Sequence, residues 1–390
     1  MYREPSGRLR HPYLVPGSAQ YNEHLWDWDS WLTNVALREL YAEDVDSRAK
    51  LRPYERGCIM NWLDIAKANG CTGWIPYVVG PGGADLPADP WARNMHKPCL
   101  AQHAAFLVRK DGDIAWLRED LMYIGYFLNN YLDHHRHACG LLFWQNDDGI
   151  GVDNDPCTFD RPPRSSGSVF LNCMMVMELQ SHVYLLETAG LDSSEFRGEV
   201  EKLTSAIQNH CWDERDGFFY NADFCFKERH PCKVGLHAGR LRAWDSLPMR
   251  IGIWSGFLAL WSGVATEAQA ERLVREHYGN PDSFCAAYGV RTLDKRERMY
   301  SLRASGNPSP WTGPIWGVSN YLIWEGLRRY GYENEARELG DKTLSLFGSD
   351  LERHGELHEC YEPDSGEPIT CPGFQNWNLL ALKMAAISTV

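Results

Sequence analysis

The feature that most constrains the fold is a regular alternation of helical segments with connections of two lengths. Helices joined by short turns are antiparallel neighbours, so the long connections between successive pairs all emerge at one end of the molecule. The long connections cover residues 70–97, 136–166, 213–247, 278–312 and 348–372. The predicted helices cover about 28–41, 47–69, 98–110, 114–135, 168–189, 194–212, 249–263, 267–277, 314–329, 333–347 and 374–388.

The two helices of each pair differ in hydrophobic pattern. The helix after a long connection is apolar nearly all round, as in Val169-Phe-Leu-Asn-Cys-Met-Met175. Its partner after the short turn is amphipathic, as in Glu195-Phe-Arg-Gly-Glu-Val-Glu-Lys202. A helix that is apolar all round is enclosed by protein, whereas an amphipathic helix faces water on one side. The pattern therefore predicts inner and outer helices.

This arrangement predicts an all-α fold, an (α/α)6 barrel in which long loops form the active site at one end. Residues 1–390 are expected to form a single catalytic domain. Eleven helices are predicted, and the twelfth, an outer helix, would be absent or replaced by an irregular terminus. The alternative is an open helical-repeat solenoid, which is less favoured because the repeats share neither a length nor a consensus.

Charge and composition argue against several classes of partner. The net charge of −13 is unlike that of a nucleic-acid-binding surface. No apolar run has the length of a membrane span, and the N-terminus lacks the apolar segment of a signal peptide. The twelve cysteines include no Cys-x-x-Cys pair, which favours reduced thiols and a cytoplasmic location, although an even number also permits disulfides. No metal or other cofactor is predicted, and the oligomeric state cannot be predicted.

Tryptophan is frequent, with 16 in 390 residues, and many of these lie in the Gly- and Pro-rich connections together with acids. Aromatic faces in loops are typical platforms for sugar rings, although in an all-helical core they would only fill space. Glycoside hydrolysis requires two carboxyl groups flanking one bond. The pattern therefore predicts a small carbohydrate as the ligand. The segments that bring these residues together are Trp26–Ser30, Lys97–Gln102, Asp153–Asp155, Trp311–Trp316, Glu356–Glu362 and Gln375–Trp377.

Asp153 lies in the loop Gly149-Ile-Gly-Val-Asp-Asn-Asp-Pro156, whose composition predicts a constrained turn. Phe143, Trp144 and Phe159 are nearby in sequence. A general acid must stay protonated near neutral pH, and apolar surroundings favour the protonated form of a carboxyl group. The alternative is a structural turn residue, because Asp often accepts backbone hydrogen bonds in turns.

Five motifs occur in a fixed order along residues 11–388. They are Trp26-Asp-Trp-Asp-Ser30, Lys97-Pro-Cys-Leu100, Gly151-Val-Asp-Asn-Asp-Pro156, Trp311-Thr-Gly-Pro-Ile-Trp-Gly-Val-Ser-Asn320 and Glu359-Cys-Tyr-Glu-Pro-Asp-Ser-Gly366. This set resembles the inverting glycosidases of families GH63 and GH37 (clan GH-G), which include α-glucosidases, trehalases, and mannosylglycerate or glucosylglycerate hydrolases. The resemblance implies an (α/α)6 barrel, the same architecture that the helix pattern predicts.

The resemblance also implies roles for individual residues. Asp153 would be the general acid and Glu359 the general base that activates water. The implied reaction is inverting, exo-acting hydrolysis of a terminal α-linked glucose or mannose. Glu356, Glu362 and Asp155 are expected to be solvated or structural acids rather than catalytic ones. The residues implied to bind the substrate are Trp26, Trp28, Asp29, Gln102, Asn154, Trp311, Trp316, Tyr361, Gln375 and Trp377.

The motifs depart from the family pattern at three positions. Val152 precedes the acid where members often have Trp, Thr312 stands where they often have Arg, and Cys99 replaces a Pro. Because of these changes, the resemblance does not identify the residues that bind the leaving group. Three arginines are candidates for a carboxylated leaving group such as glycerate, although each is also a candidate surface charge: Arg161, Arg164 and Arg303.

Two other functions are compatible with a sugar-binding toroid. A sugar epimerase or isomerase would need paired histidines on inner helices, but most of the 14 histidines are predicted in loops or outer helices. A non-catalytic carbohydrate-binding protein would keep the tryptophans without requiring both Asp153 and Glu359.

Overall fold

The computed structural model describes residues 1–226, 244–303 and 309–388, and most of their regular structure is helical. Eleven α-helices lie in these ranges, the number that the sequence predicts. They are α1 Asp27–Leu40, α2 Val45–Ala68, α3 Leu100–Asp111, α4 Leu121–His134, α5 Val169–Thr188, α6 Ser194–His210, α7 Leu258–Trp261, α8 Glu267–Arg272, α9 Gly317–Arg329, α10 Glu333–His354 and α11 Ala381–Ser388.

Several helix boundaries differ from the predicted ones. The helix predicted over 249–263 is reduced to a 3-10 turn, Trp254–Phe257, followed by the four-residue α7. The residues before this turn are not helical, because Ile253 is extended (φ −120°, ψ 152°) and forms an antiparallel bridge with Leu293. In contrast, α10 continues two turns beyond its predicted end and stops at Gly355, whose φ of +76° suits glycine. Further 3-10 turns are Ala19–Tyr21, Gly70–Thr72, Arg118–Asp120 and Asn376–Leu380, and Leu273–Tyr278 is π-helical.

The odd-numbered helices contact one another in a closed ring. In chain order, α1 contacts α3, α3 contacts α5, α5 contacts α7, α7 contacts α9, and α9 contacts α11. The ring closes because α11 and the turn Asn376–Leu380 pack against α1. The even-numbered helices α2, α4, α6 and α10 each pack against members of this ring. The predicted inner and outer classes therefore correspond to distinct positions in the structure.

Burial explains the two hydrophobic patterns. In α5 most side chains are buried along the whole length, whereas α6 buries only Phe196, Leu203, Ala206 and Ile207. The length and composition of α5 would suit a membrane span, with a mean hydropathy of 1.3, but 78% of that window is buried inside the protein. Helix α5 thus has the properties of a core helix.

Short strands, which the sequence did not predict, connect the loops at the ends of the ring. Antiparallel pairing joins β1 to β2, β3 to β4, β6 to β7 and β10 to β11, and it forms the three-stranded sheets β5-β8-β9 and β12-β13-β14. The strands are β1 Tyr2–Arg3, β2 Tyr13–Leu14, β3 Leu25–Trp26, β4 Val78–Val79, β5 Ser166–Gly167, β6 Trp212–Asp213, β7 Phe218–Phe219, β8 Ala222–Asp223, β9 Leu247–Pro248, β10 Cys285–Ala286, β11 Gly289–Val290, β12 Ile315–Trp316, β13 Cys360–Tyr361 and β14 Pro368–Thr370.

Candidate active site

The long loops surround a cavity of about 260 Å³ at the N-terminal ends of the inner helices. Both predicted catalytic carboxyl groups, Asp153 and Glu359, line it. Strand pairing explains part of this convergence, because Trp316 in β12 is the register partner of Cys360 in β13, next to Glu359. The full lining is Tyr21, Trp26, Trp28, Asp29, Tyr77, Lys97, Asp148, Gly149, Gly151, Asp153, Ser309, Trp311, Trp316, Glu359, Phe374 and Trp377.

A cluster of tryptophans forms the aromatic wall of the cavity. The ring of Trp28, at the start of α1, lies 5.1 Å from that of Trp377 and 6.2 Å from that of Trp311, centroid to centroid. Trp311 is stacked on Trp316 at 4.0 Å. Each ring restricts the rotation of its neighbours, so the wall is preorganised rather than formed around a ligand.

A buried ion pair adjoins this wall. The Lys97 ammonium is 2.9 Å from Asp27 Oδ1 and 5.3 Å from the centre of the Trp28 ring. Asp27 also accepts the backbone N–H groups of Trp28 and Lys97, at 2.7 and 2.8 Å. These contacts tie the start of α1 to the loop before α3 and fix the orientation of Trp28.

Glu359 is buried, with 5% of its surface exposed. The Tyr21 hydroxyl donates to its Oε1 and the Ser309 hydroxyl to its Oε2, each at 3.3 Å. Burial raises the pKa of Glu359, the nearby Asp153 charge acts in the same direction, and the hydrogen bonds oppose the rise. The carboxyl group thus has the reduced solvation and fixed orientation that a general base requires.

Asp29 is a third carboxyl group in the cavity. Burial raises the pKa of Asp29 to about 8, and the neighbouring charge of Asp27 adds to the effect. Asn376 donates its side-chain N–H to Asp29 and holds it in place. Near neutral pH a protonated Asp29 can donate as well as accept hydrogen bonds, which suits contact with sugar hydroxyls.

The loop that contains Asp153 is held close to Trp28. Gly151 has a φ of +79°, and a Cβ there would lie 3.0 Å from the Trp28 ring, so glycine is required at this position. Asn154 tethers the other side of the loop, because it accepts the Trp311 backbone N–H at 2.7 Å and donates to the Ser309 carbonyl at 3.3 Å. The loop that contains Asp153 is therefore fixed to the segment that precedes Trp316.

The structure brings six of the ten predicted binding residues into the cavity and places the other four elsewhere. Gln102 donates to the Pro98 and Met174 carbonyls and lines a different cavity, of about 340 Å³, among the inner helices. The Tyr361 hydroxyl donates to buried Asp350 at 2.7 Å. Gln375 is exposed, and Asn154 acts as the tether described above. The six in the lining are Trp26, Trp28, Asp29, Trp311, Trp316 and Trp377.

Several lining residues were not predicted. Lys97 lies in one of the five motifs, but the motif does not predict a role for it in the cavity. Tyr21 lies in a three-residue 3-10 turn and Ser309 and Phe374 in irregular segments, where neither periodicity nor spacing marks them. The others missed are Tyr77, Asp148 and, behind the lining, Asp27 and Asn376.

The three candidate arginines have different surroundings. Arg161 pairs with Asp223 at 2.6 Å, and Arg164 donates to Gln145 at 2.6 Å. Arg303 is exposed and lines a neighbouring cavity of about 570 Å³, which the loop that contains Asp153 also lines. The remaining lining of that cavity is Asn154, Pro156, Phe159, Met299, Ser301 and Thr312.

Histidines and cysteines in the described ranges have structural partners or are dispersed. His354 and His358, four residues apart, both contact Asp350. His103, on inner helix α3, bonds Asn34 at 2.8 Å. Within residues 1–226, 244–303 and 309–388, no group of three or more His, Cys, Asp or Glu side chains is arranged to hold a metal ion. The cysteines in those ranges are free thiols.

Curated relatives of the chain are glycosidases. Mannosylglycerate hydrolase MGH1 of Selaginella moellendorffii is 24% identical over 298 residues, which are 75% of this chain and 54% of the relative. Cytosolic neutral trehalase of Kluyveromyces lactis is 27% identical over 162 residues, 40% of this chain and 18% of that protein. The chain therefore spans about half the length, or less, of these curated relatives.

Solved structures share the fold. The GH63 mannosylglycerate hydrolase from Thermus thermophilus, in complex with glucose, superposes with a TM-score of 0.69 at 22% identity, covering 97% of this chain and 96% of that chain. Neutral trehalase Nth1 from Saccharomyces cerevisiae gives 0.66 at 17% identity, covering 96% and 74%. Residues 22–377 match the family described as "Mannosylglycerate hydrolase MGH1-like glycoside hydrolase domain". The predicted resemblance to GH63 is thus confirmed, and the chain belongs to the MGH1-like glycoside hydrolase family.

Proposed function

We propose that the chain is an inverting, exo-acting glycoside hydrolase in which Asp153 is the general acid and Glu359 the general base. The observation that supports this most strongly is that two carboxyl groups, 206 residues apart in sequence, line one tryptophan-walled cavity. In the proposed reaction Asp153 protonates the leaving-group oxygen. Glu359 removes a proton from the water that attacks the anomeric carbon from the opposite face, which inverts the configuration.

The ring of inner helices supports the finer fold assignment. We infer that α1, α3, α5, α7, α9 and α11 form the inner layer of an (α/α)6 barrel and that residues 1–390 form one catalytic domain. The closed sequence of contacts from α1 to α11 and back supports a barrel over an open solenoid. A main core of buried side chains that extends from Leu9 to Met384 supports a single domain.

The cavity suits one terminal sugar. Typical pockets for drug-sized ligands are about 300–1,000 Å³, and the present cavity of about 260 Å³ is smaller. Tyr77 and Lys97 line it with polar atoms, and the tryptophans line it with aromatic faces on which a sugar ring can pack. Asp29 supplies a further polar contact. Recognition of a single sugar unit supports exo action.

We propose that the sugar is α-linked glucose or mannose, since the relatives are named mannosylglycerate hydrolases and trehalases. Incubation with trehalose, kojibiose, nigerose, glucosylglycerate and mannosylglycerate should give hydrolysis of at least one. Proton NMR of the first product should detect the β-anomer, because inversion of an α-glycoside gives β. Initial release of the α-anomer would rule out the inverting mechanism.

The leaving-group site is proposed to include the cavity beside Arg303. If the substrate has a carboxylated leaving group, we expect Arg303→Met to raise KM for mannosylglycerate or glucosylglycerate about tenfold, since a hydrogen bond to a charged group contributes about 1.5–3 kcal/mol. Hydrolysis of trehalose, which has no carboxylate, should change little. Arg298→Met, an exposed arginine in the same connection, is the matched control. Equal effects of Arg303→Met on both kinds of substrate would contradict this placement.

We also propose a small carbohydrate as the ligand and a cytoplasmic location. The free thiols of the described cysteines and the relationship to a protein named cytosolic neutral trehalase support that location.

A further inference from the structure

The Glu359 carboxylate receives one hydroxyl donor on each oxygen. Tyr21 donates to Oε1 and Ser309 to Oε2, both at 3.3 Å, and both residues line the cavity. An ionised carboxylate has about four lone-pair positions. One donor on each oxygen fixes the plane of the group and still leaves positions for an attacking water.

The Tyr21 donor belongs to a directional chain of hydrogen bonds. The Cys371 thiol donates to Gln20 Oε1 at 3.0 Å, and Gln20 Nε2 donates to the Tyr21 hydroxyl at 3.3 Å. Because that hydroxyl has a single proton and accepts from Gln20, its proton is directed at Glu359. The Tyr21 ring is held edge-on by Trp26 and Phe374, at 5.8 and 5.9 Å.

The Ser309 donor is linked to the acid loop. Asn154, next to Asp153, donates to the Ser309 carbonyl and accepts the Trp311 N–H. The residue that donates to the base is thus attached to the loop that holds the acid.

We propose that Tyr21 and Ser309 are positioning residues that orient the Glu359 carboxylate and favour its ionised form. This inference rests on the proposed role of Glu359 as the base. Burial and the charge of Asp153 raise the pKa of Glu359, and hydrogen bonds of Cys371, Ser309 and Tyr21 oppose this rise. Burial and the charge of Glu359 raise the pKa of Tyr21, so the hydroxyl keeps its proton. The ionisable groups that act on or respond to Glu359 are Asp29, Asp153, Tyr21, Cys360 and Cys371.

The pH profile of kcat/KM tests the proposal, measured on mannosylglycerate or trehalose, whichever is hydrolysed. Removing a donor raises the pKa of the base, so the acidic limb should move to higher pH by about one unit in Tyr21→Phe and in Ser309→Ala, the size expected for a hydrogen bond to a charged group. Ser309→Thr keeps the hydroxyl, so its acidic limb should lie at the wild-type pH. Tyr54→Phe removes a similar bond, to surface Glu4, and should leave the limb in place.

Carbon-13 NMR of protein labelled at the glutamate carboxyl gives a readout that needs no substrate. The Glu359 signal is identified by its loss in Glu359→Gln, and its titration midpoint should rise in Tyr21→Phe and Ser309→Ala. Unchanged midpoints and unchanged limbs would overturn the inference. Full activity of Glu359→Gln would instead overturn the proposed base, so the two failures are distinguishable.

Discussion

Replacement of either proposed catalytic carboxyl group by its amide should lower kcat by at least about 10²–10⁴-fold, the usual contribution of a general acid or base. Asp153→Asn and Glu359→Gln keep size and shape, so the tryptophan wall and sugar binding should persist. Initial rates on the hydrolysed substrate give the loss in kcat, and isothermal titration with glucose or mannose gives the affinity for sugar.

The two variants should respond differently to the leaving group. A glycosyl fluoride departs without protonation, so Asp153→Asn should recover much of its rate on the fluoride, whereas Glu359→Gln, which lacks the base for water, should not. Asp160→Asn in the acid loop and Glu356→Gln before the base are isosteric controls at exposed positions, and both should retain the wild-type rate. Full activity in Asp153→Asn or Glu359→Gln would overturn the assignment and would favour a non-catalytic sugar-binding function.

The helical part of the fold could be predicted because the hydrophobic pattern of each helix matches its burial in the structure. The all-apolar surface of α5 and the amphipathic surface of α6 correspond to their buried and half-exposed positions. The helix predicted over 249–263 is shorter than expected because its first residues are extended. Ile253 forms an antiparallel bridge with Leu293, a contact that is long-range in sequence and leaves no periodic signal.

The candidate site could be predicted where a motif places a side chain in a long connection or at the start of an inner helix. Trp28, Asp29 and Trp316 are such residues, and they line the cavity. Gln102 also lies in a motif, but the Pro98 and Met174 carbonyls bind its amide. A motif fixes the position of a residue along the chain, but hydrogen bonds made after folding decide where its side chain points.

Site residues in irregular segments that belong to no motif could not be predicted. Tyr21 contacts Glu359, which is 338 residues away in sequence, and the segment around it has neither a helical nor a strand pattern. The pairing of β12 with β13, which places Trp316 opposite Cys360, also involves strands of two residues. Such strands are too short to show alternation, so this part of the site was visible only in the structure.

Replacement of Lys97 by Met should destabilise the protein by about 3 kcal/mol or more, because it leaves buried Asp27 without its charged partner. Asp27 is 1% exposed, and its remaining partners include two backbone N–H donors. Urea unfolding followed by tryptophan fluorescence gives the difference in the free energy of unfolding.

The pair variant Lys97→Met/Asp27→Asn separates the two contributions, since it removes the uncompensated charge as well as the cation. It should recover part of the lost free energy of unfolding. Lys202→Met is the matched control, because that lysine is exposed and its partner Glu199 also pairs with Arg136. Its loss should change stability by less than about 0.5 kcal/mol. If Lys97→Met unfolds at the same urea concentration as Lys202→Met, the ion pair does not hold the start of α1. The position of Trp28 would then have to depend on the aromatic cluster alone.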